Sequence, residues 1–193
     1  GNGEETQNKL DQLKKQGFVM KNCQGIVLTH IHYDHIAGAS LFCKECKKLA
    51  MHKEEAAMIE NDVAIYGTKS WAMMAKTVGK RVAPFKVTQK LSDGEPLRVS
   101  KESWDVLHTP GHTKGSLCLY NKKSKTLVSG DTLFKGTIGR TDLYSSNDND
   151  MKETLKKISR LHINTLLPGH GEVIEKGAQE DIKKTVELFT KTL

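Results

Sequence analysis

Apolar positions recur along this chain in two rhythms, one near 3.6 and one of 2. Residues 4–16 form a polar stretch with Leu10 and Leu13 as an apolar edge, and Gly17 follows where a helix would stop. Gly25-Ile-Val-Leu-Thr29 is a short, β-branched run that reads as a buried strand. The pattern then predicts a helix over 37–47, a strand over 48–52 and a helix over 53–60. Residues 61–85, with Trp71, Met73 and Met74 among lysines, fit neither rhythm and read as a lid or an excursion over a pocket. From residue 86 the period of two dominates, with strands expected at 86–89, 96–99, 103–108, 116–121 and 126–130. Ser92-Asp93-Gly94 and Asn121-Lys-Lys-Ser124 supply turn residues between them. Met151, Leu155, Ile158 and Leu161 mark one face of a helix over 150–161, Ile163 to Leu167 a strand ended by Pro168, and 177–192 a terminal helix. Strands interleaved with helices at both ends of a β-rich middle predict a layered α/β architecture in a single domain over 1–193.

Composition narrows the class. The chain has 193 residues, 37% of them hydrophobic and 27% charged, enough to bury a core without disulfide or metal staples. No apolar run approaches the ~18 residues of a membrane span, and no secretory hydrophobic segment follows the first residue. The expected location is the cytoplasm, with no membrane partner. The net charge of +7 comes from 30 Lys and Arg against 23 Asp and Glu. Most of the excess is scattered lysine doublets, which read as a solvated surface; without an arginine cluster or an aromatic-interleaved stripe, nucleic acid is not the expected partner. The four cysteines, Cys23, Cys43, Cys46 and Cys118, are expected to be reduced thiols. Cys43-Lys-Glu-Cys46 reads as two residues of a helix that face the core or a neighbouring strand, with a zinc knuckle or a redox pair as the alternative.

The histidines carry the chemistry. His30-Ile-His32-Tyr-Asp34-His35 follows the strand at 25–29 directly. Residues two apart on extended chain point the same way, so His30 and His32 can meet one ion, while Asp34 and His35 can face a second. Four such side chains in six residues would leave unsatisfied polar groups if buried together as mere core. His112 in Thr109-Pro-Gly-His-Thr113, Asp131 in Ser129-Gly-Asp-Thr132 and His170 in Pro168-Gly-His-Gly171 each follow a predicted strand and are flanked by glycine. Ligands of α/β sheets gather beyond the carboxyl ends of strands. The count closes on two metals, one held by His30, His32 and His112, the other by Asp34, His35 and His170, with Asp131 as the bridge. Two ions roughly 3.5–4 Å apart can share a hydroxide and polarise a carbonyl. Nitrogen and oxygen donors of this kind suit zinc, and also iron or manganese. His52, His108 and His162 lie outside these motifs and read as structural.

These motifs resemble those of the metallo-β-lactamase fold superfamily: Thr29-His30-x-His32-x-Asp34-His35, Thr109-Pro-Gly-His112-Thr113, Ser129-Gly-Asp131-Thr-Leu-Phe134 and Pro168-Gly-His170-Gly171, in that order. The resemblance implies an αβ/βα four-layer sandwich with the metals at one edge. Gly136-Thr-Ile-Gly-Arg140-Thr-Asp142-Leu143 looks like the glyoxalase II and persulfide dioxygenase branch. In that branch a basic residue at the position of Arg140 helps hold an anionic, thiol-bearing substrate; the plain alternative is that Arg140 pairs with Asp142. The family opens on a strand hairpin ending in Asp-Thr-Gly, and Gly1-Asn-Gly3 resembles the end of that motif, so the first strands are expected to be missing. A sheet edge bared in that way would also favour a homodimer. The extra helical domain with which glyoxalase II enzymes hold glutathione is not expected in this chain, which leaves glutathione specificity open.

The resemblance and the ligand count together imply a dinuclear hydrolase acting on an anionic thioester or related activated ester. Asp34 and Asp131 are the expected catalytic carboxylates, and Arg140, Lys135 and Tyr33 the candidate substrate contacts, with a surface lysine and a packed tyrosine as the plain alternatives for the last two. A mononuclear Fe(II) persulfide dioxygenase using His30, His112 and Asp131, and an RNA-processing nuclease, are the rival readings.

Overall fold

The computed structural model describes residues 3–39, 46, 48–60, 85–143 and 145–192. The chain folds as two compact units, Gly1–Lys90 and Leu91–Leu193. The expected excursion at 61–85 and most of the expected helix at 37–47 lie outside the described residues. Among the described residues no helix is long and apolar enough to cross a membrane.

The first unit opens with α1 (Gly3–Lys15). Its end is a Schellman turn: the amide of Phe18 bonds the carbonyl of Leu13 at 2.9 Å, that of Gly17 bonds Lys14 at 3.0 Å, and Gly17 takes φ 90°. Leu10 is buried, but Leu13 is exposed, so the apolar edge of α1 is a single residue wide. A short 3-10 turn (Met20–Asn22) leads to β1 (Ile26–Val27), which pairs in parallel with β2 (Leu49–His52) in the register Ile26 to Leu49 and Val27 to Ala50. All of β2 is buried, as befits the middle strand of the order β1-β2-β3. β3 (Gln89–Leu91) starts three residues later than the pattern predicts. The reason is Thr88, whose hydroxyl accepts from the Leu49 amide at 2.8 Å and so takes a bond that backbone pairing would otherwise make.

Between β1 and β2 the chain turns into α2 (Tyr33–Ile36), a single helical turn inside the histidine motif and ahead of the expected helix at 37–47. His32 caps it in an extended conformation, and its carbonyl receives the amides of His35 at 2.9 Å and Ile36 at 3.1 Å. Tyr33 and Ile36, three apart on this turn, point into a core with Leu28, Ile31, Leu49, Met51 and Val87. The helix α3 (Lys53–Glu60) adds Ala56 and Ile59 to the same core.

The second unit is built on a five-stranded sheet in the order β10-β7-β6-β5-β4. Its members are β4 (Pro96–Val99), β5 (Glu102–His108), β6 (Leu117–Asn121), β7 (Thr126–Gly130) and β10 (Thr165–Pro168). Neighbours from β4 to β7 are antiparallel, and β10 runs parallel to β7. The pairs Leu107–Cys118 and Tyr120–Leu127 fall on one face, with Leu166 beside Leu127. Two helices, α4 (Asp148–Ser159) and α5 (Ala178–Thr192), supply the other half of that core. Met151, Leu155 and Ile158 lie on one stripe of α4, and Ala178, Ile182 and Val186 on one stripe of α5. Pro168 belongs to β10 rather than ending it before; the register slips between Leu167 and Pro168, which sets Pro168 opposite Gly130. A small hairpin, β8 (Leu133–Phe134) and β9 (Thr137–Ile138), escapes the sequence pattern because each arm has two residues, too few to show an alternation.

The start of α4 is capped by Asn147, whose side chain accepts the Asp150 amide at 2.9 Å. Replacing Asn147 by Ala is expected to cost about 1 kcal/mol, with Asn147→Asp close to neutral; urea unfolding of the two variants beside the parent checks this.

Candidate metal centre

In the first unit β1 delivers His30, and the turn α2 delivers Asp34 and His35. The rings of His30 and His32 stand edge to face with centroids 4.8 Å apart, and those of His30 and His35 are 4.1 Å apart. Thr29 Oγ1 lies 3.1 Å from His30 Nδ1, and His35 Nε2 lies 3.5 Å from Asp34 Oδ2. His30 is buried and Asp34 exposed. The motif therefore folds back on itself: its extended part aims His30 and His32, and its helical turn swings His35 round to the same place. Tyr33, between them, is buried in the hydrophobic core.

In the second unit the three remaining residues come from the carboxyl ends of β5, β7 and β10. β5 and β7 both run against β6, and β10 runs with β7, so the three ends share one edge of the sheet. His112 Nε2 lies 3.7 Å and His170 Nε2 3.6 Å from the same oxygen, Oδ2 of Asp131. His112 and Asp131 are largely shielded, whereas His170 is 54% exposed. His112 Nδ1 lies 2.9 Å from the carbonyl oxygen of Arg140. A carbonyl only accepts, so the proton sits on Nδ1 and the lone pair of Nε2 is left facing Asp131.

Backbone packing fixes this geometry. A Cβ on Gly139 would stand 1.8 Å from the Asp131 carbonyl oxygen and 3.0 Å from His112 Cγ. The loop that presents His112 is held from several sides. Ser146 Oγ donates to the His112 carbonyl at 2.7 Å, the Asn147 amide bonds the Gly111 carbonyl at 2.8 Å, and Thr154 Oγ1 donates to the Pro110 carbonyl at 2.7 Å. Gly111 itself adopts φ 137° with the backbone of Met151 packed against it. Behind Asp131, the Gly169 amide bonds the Gly130 carbonyl at 2.8 Å and ties the His170 turn to the Asp131 turn.

Arg140 points its guanidinium away from this work. Its Nε and Nη2 each bond a carboxylate oxygen of Asp142 at 2.8 Å, which holds the Asp142 carboxyl below its ordinary range. Lys135 is paired with Glu172. That pair lines a cavity of about 590 Å³ together with Phe134, Thr137, His170 and Asp181. Outside the motifs, His108 Nε2 donates to the Lys114 carbonyl at 2.9 Å, a structural use of that ring, and the backbone carbonyl of His162 accepts from Tyr120 at 2.7 Å. Sequence reasoning missed Gly139, the carbonyl of Arg140 and the acids Glu172 and Asp181. Gly139 had a visible signal, a second glycine in Gly136-Thr-Ile-Gly139; a backbone carbonyl has none.

Imidazole and carboxylate donors converging at the carboxyl edge of an α/β sheet define a metal-binding protein of the α/β class. The chain belongs to the metallo-β-lactamase superfamily, whose family model matches residues 1–170. It is 33% identical over 187 residues to the probable metallo-hydrolase YqgX of Bacillus subtilis, covering 90% of this chain and 80% of that one. It is 30% identical to the human acyl-coenzyme A thioesterase MBLAC2, over 75% of this chain and 54% of that one. To the hydroxyacylglutathione hydrolase of Salmonella typhi it is 33% identical, over 75% and 46%. The chain thus spans about half the length of the last two relatives. Among solved structures, the metallo-β-lactamase family protein TTHA1429 of Thermus thermophilus superposes with a TM-score of 0.76 at 23% identity, covering 94% of this chain and 64% of that one. TTHA1623 in a di-iron-bound form gives 0.70 at 25%, over 89% and 80%.

Gly139→Ala is expected to cost at least about 2–3 kcal/mol and to lower metal retention, because the added methyl meets fixed backbone. Gly136→Ala, at φ 73° with open space around it, is expected to cost only about 1 kcal/mol and to leave metal retention intact. Denaturant midpoints and metal content per chain distinguish the two.

Proposed function

We propose that the protein is a two-metal hydrolase of an anionic thioester or related activated ester. The observation that carries this reading is the single carboxylate oxygen of Asp131 flanked by two imidazole nitrogens, from His112 and His170. A carboxylate so placed is suited to sit between two cations, each also bound by one of those histidines. In this reading His30 and His32 act with His112, Asp34 and His35 act with His170, and Asp131 bridges. The donor chemistry fits zinc, iron or manganese, and a relative with two irons and relatives named as thioester hydrolases support the same class. Bound divalent ions would supply the Lewis acid and the activated water that ester hydrolysis needs.

The chain's own residues do the rest. The Arg140 carbonyl holds the His112 tautomer, so that the neutral ring keeps its lone pair on Nε2. Asp34 both ligates and orients, from the exposed side of the motif. The cavity beside His170 receives the body of the substrate. There Phe134 offers an apolar wall, and Lys135 a cation that a substrate carboxylate can take over from Glu172. A thiolate leaves without needing a proton donor. Arg140 contributes to substrate only by releasing Asp142. We further read the protein as a single metallo-β-lactamase domain working on a small molecule in the cytoplasm.

Two assays on the purified chain test this. Plasma mass spectrometry should find about two divalent ions per chain, and Asp131→Ala should lower that content. The same variant should lose at least about 100-fold in kcat/KM on an acyl-coenzyme A or a hydroxyacylglutathione. Full metal content and full esterase activity in Asp131→Ala would overturn the reading. A single iron per chain, with oxygen uptake on a persulfide, would replace it with the dioxygenase.

A further inference from the structure

Cys23 and Cys46 lie on either side of the first histidine motif and have no part in the site described above. Their sulfurs are 3.0 Å apart. The contact sits just ahead of the paired strands. Ile26 is opposite Leu49 in the parallel pair of β1 and β2, and Cys23 and Cys46 are each three residues ahead of that pair in the chain. The amide of Ile26 bonds the Lys48 carbonyl at 2.9 Å, and Cys46 Sγ reaches the Cys23 carbonyl at 3.6 Å, which holds the two segments side by side at the thiols. Cys23 is half-buried and Cys46 buried, and both are thiols rather than a disulfide.

A shared metal ion does not explain the pair. Two thiolates on one tetrahedral zinc, each about 2.3 Å from it, stand roughly 3.8 Å apart, farther than these sulfurs. Among the described residues neither cysteine joins two further donors close enough to hold an ion. Cys118, the remaining described cysteine, is buried beside Thr109 and the Ser129 carbonyl, and burial pushes its thiol up to about 11.

We propose that Cys23 and Cys46 are a reversible dithiol–disulfide site whose oxidation closes a covalent loop around His30, His32, Asp34 and His35. The oxidant class is a peroxide. The Cys23 thiolate attacks one oxygen of hydrogen peroxide, the O–O bond breaks, a sulfenic acid forms, and the hydroxide released takes up the proton that the Cys23 thiol had lost, giving one water. The Cys46 thiolate then attacks the Cys23 sulfur, the S–O bond breaks, and the departing hydroxide takes up the proton from the Cys46 thiol, giving a second water. The two sulfurs lose two electrons in total, and the peroxide gains them. The loop ties the chain ahead of β1 to the chain ahead of β2 and restricts the unfolded segment that carries the four donors. Burial and the neighbouring Cys46 hold the Cys23 thiol above its ordinary range. The first step is therefore slow at neutral pH and quickens as pH rises.

The test treats the purified chain with hydrogen peroxide, blocks remaining thiols with iodoacetamide, and maps peptides by mass spectrometry without reduction. The expected product is a Cys23–Cys46 linkage that dithiothreitol reverses, with Cys118 unmodified until the chain is denatured. Its formation rate should rise about tenfold per pH unit below the thiol pKa. The oxidised chain should melt roughly 5–10 °C above the reduced one, and this rise should vanish in Cys23→Ser. In Cys46→Ser, Cys23 should stop at a sulfenic acid that dimedone traps. A linkage through Cys43, thiols that survive peroxide, or a cross-linked chain that melts with the reduced one would each overturn the proposal.

Discussion

Gly139 lies so near the backbone of Asp131 that one methyl group has no room between them, and the second unit's donor geometry hangs on that approach. It brings the next residue's carbonyl, that of Arg140, onto His112 Nδ1. That bond sets the tautomer and the ring plane, which leaves Nε2 facing the carboxylate. A single close contact between two backbone segments thus governs two donors at once. Any larger residue would part Asp131 from the loop that holds His112, and neither side chain could restore the fit by rotating.

The rest of the second unit supports this clasp through backbone carbonyls. Pro110, Gly111 and His112 each accept at their carbonyl from a donor in α4 or just ahead of it: Thr154 in its middle, the Asn147 amide at its cap and Ser146 before the cap. The same helix buries Met151, Leu155 and Ile158 against the sheet, so the apolar core and the loop that carries His112 are set by one element. Hydrophobic burial supplies most of the energy and has no direction, while hydrogen bonds with steep angular demands supply the aim. The first unit divides the work similarly. Tyr33 and Ile36 anchor the turn in the core, and His35, between them on the helix, is carried round toward His30.

Charge near the cavity is largely paired within the protein. Lys135 faces Glu172, Arg140 grips Asp142, and Lys122 pairs with Asp105 at 2.7 Å elsewhere on the sheet. These three cations are thus engaged within the protein, and an anionic ligand has to compete for them. Such competition favours a ligand whose other contacts also contribute, because an exposed ion pair is weak and easily exchanged.

The sequence by itself singled out the candidate metal donors and determined most of the elements that carry them. His30, His32, Asp34, His35, His112, Asp131 and His170 are legible because donor residues beside glycines at strand ends are a chemical pattern, and strand β7 and helix α3 because their periodicity is local. It did not reveal the hairpin β8–β9, the late start of β3 or the separate turn α2. Two-residue arms carry no period, Thr88 replaces a backbone bond with a hydroxyl, and the turn at Tyr33 is stabilised by a core that forms only from distant residues. Only the tertiary structure decided that Gly139 must be glycine, that the Arg140 backbone rather than its side chain serves His112, and that Cys46 meets Cys23. Those facts depend on which segments lie side by side, and contact between residues far apart in the chain leaves no trace in local composition.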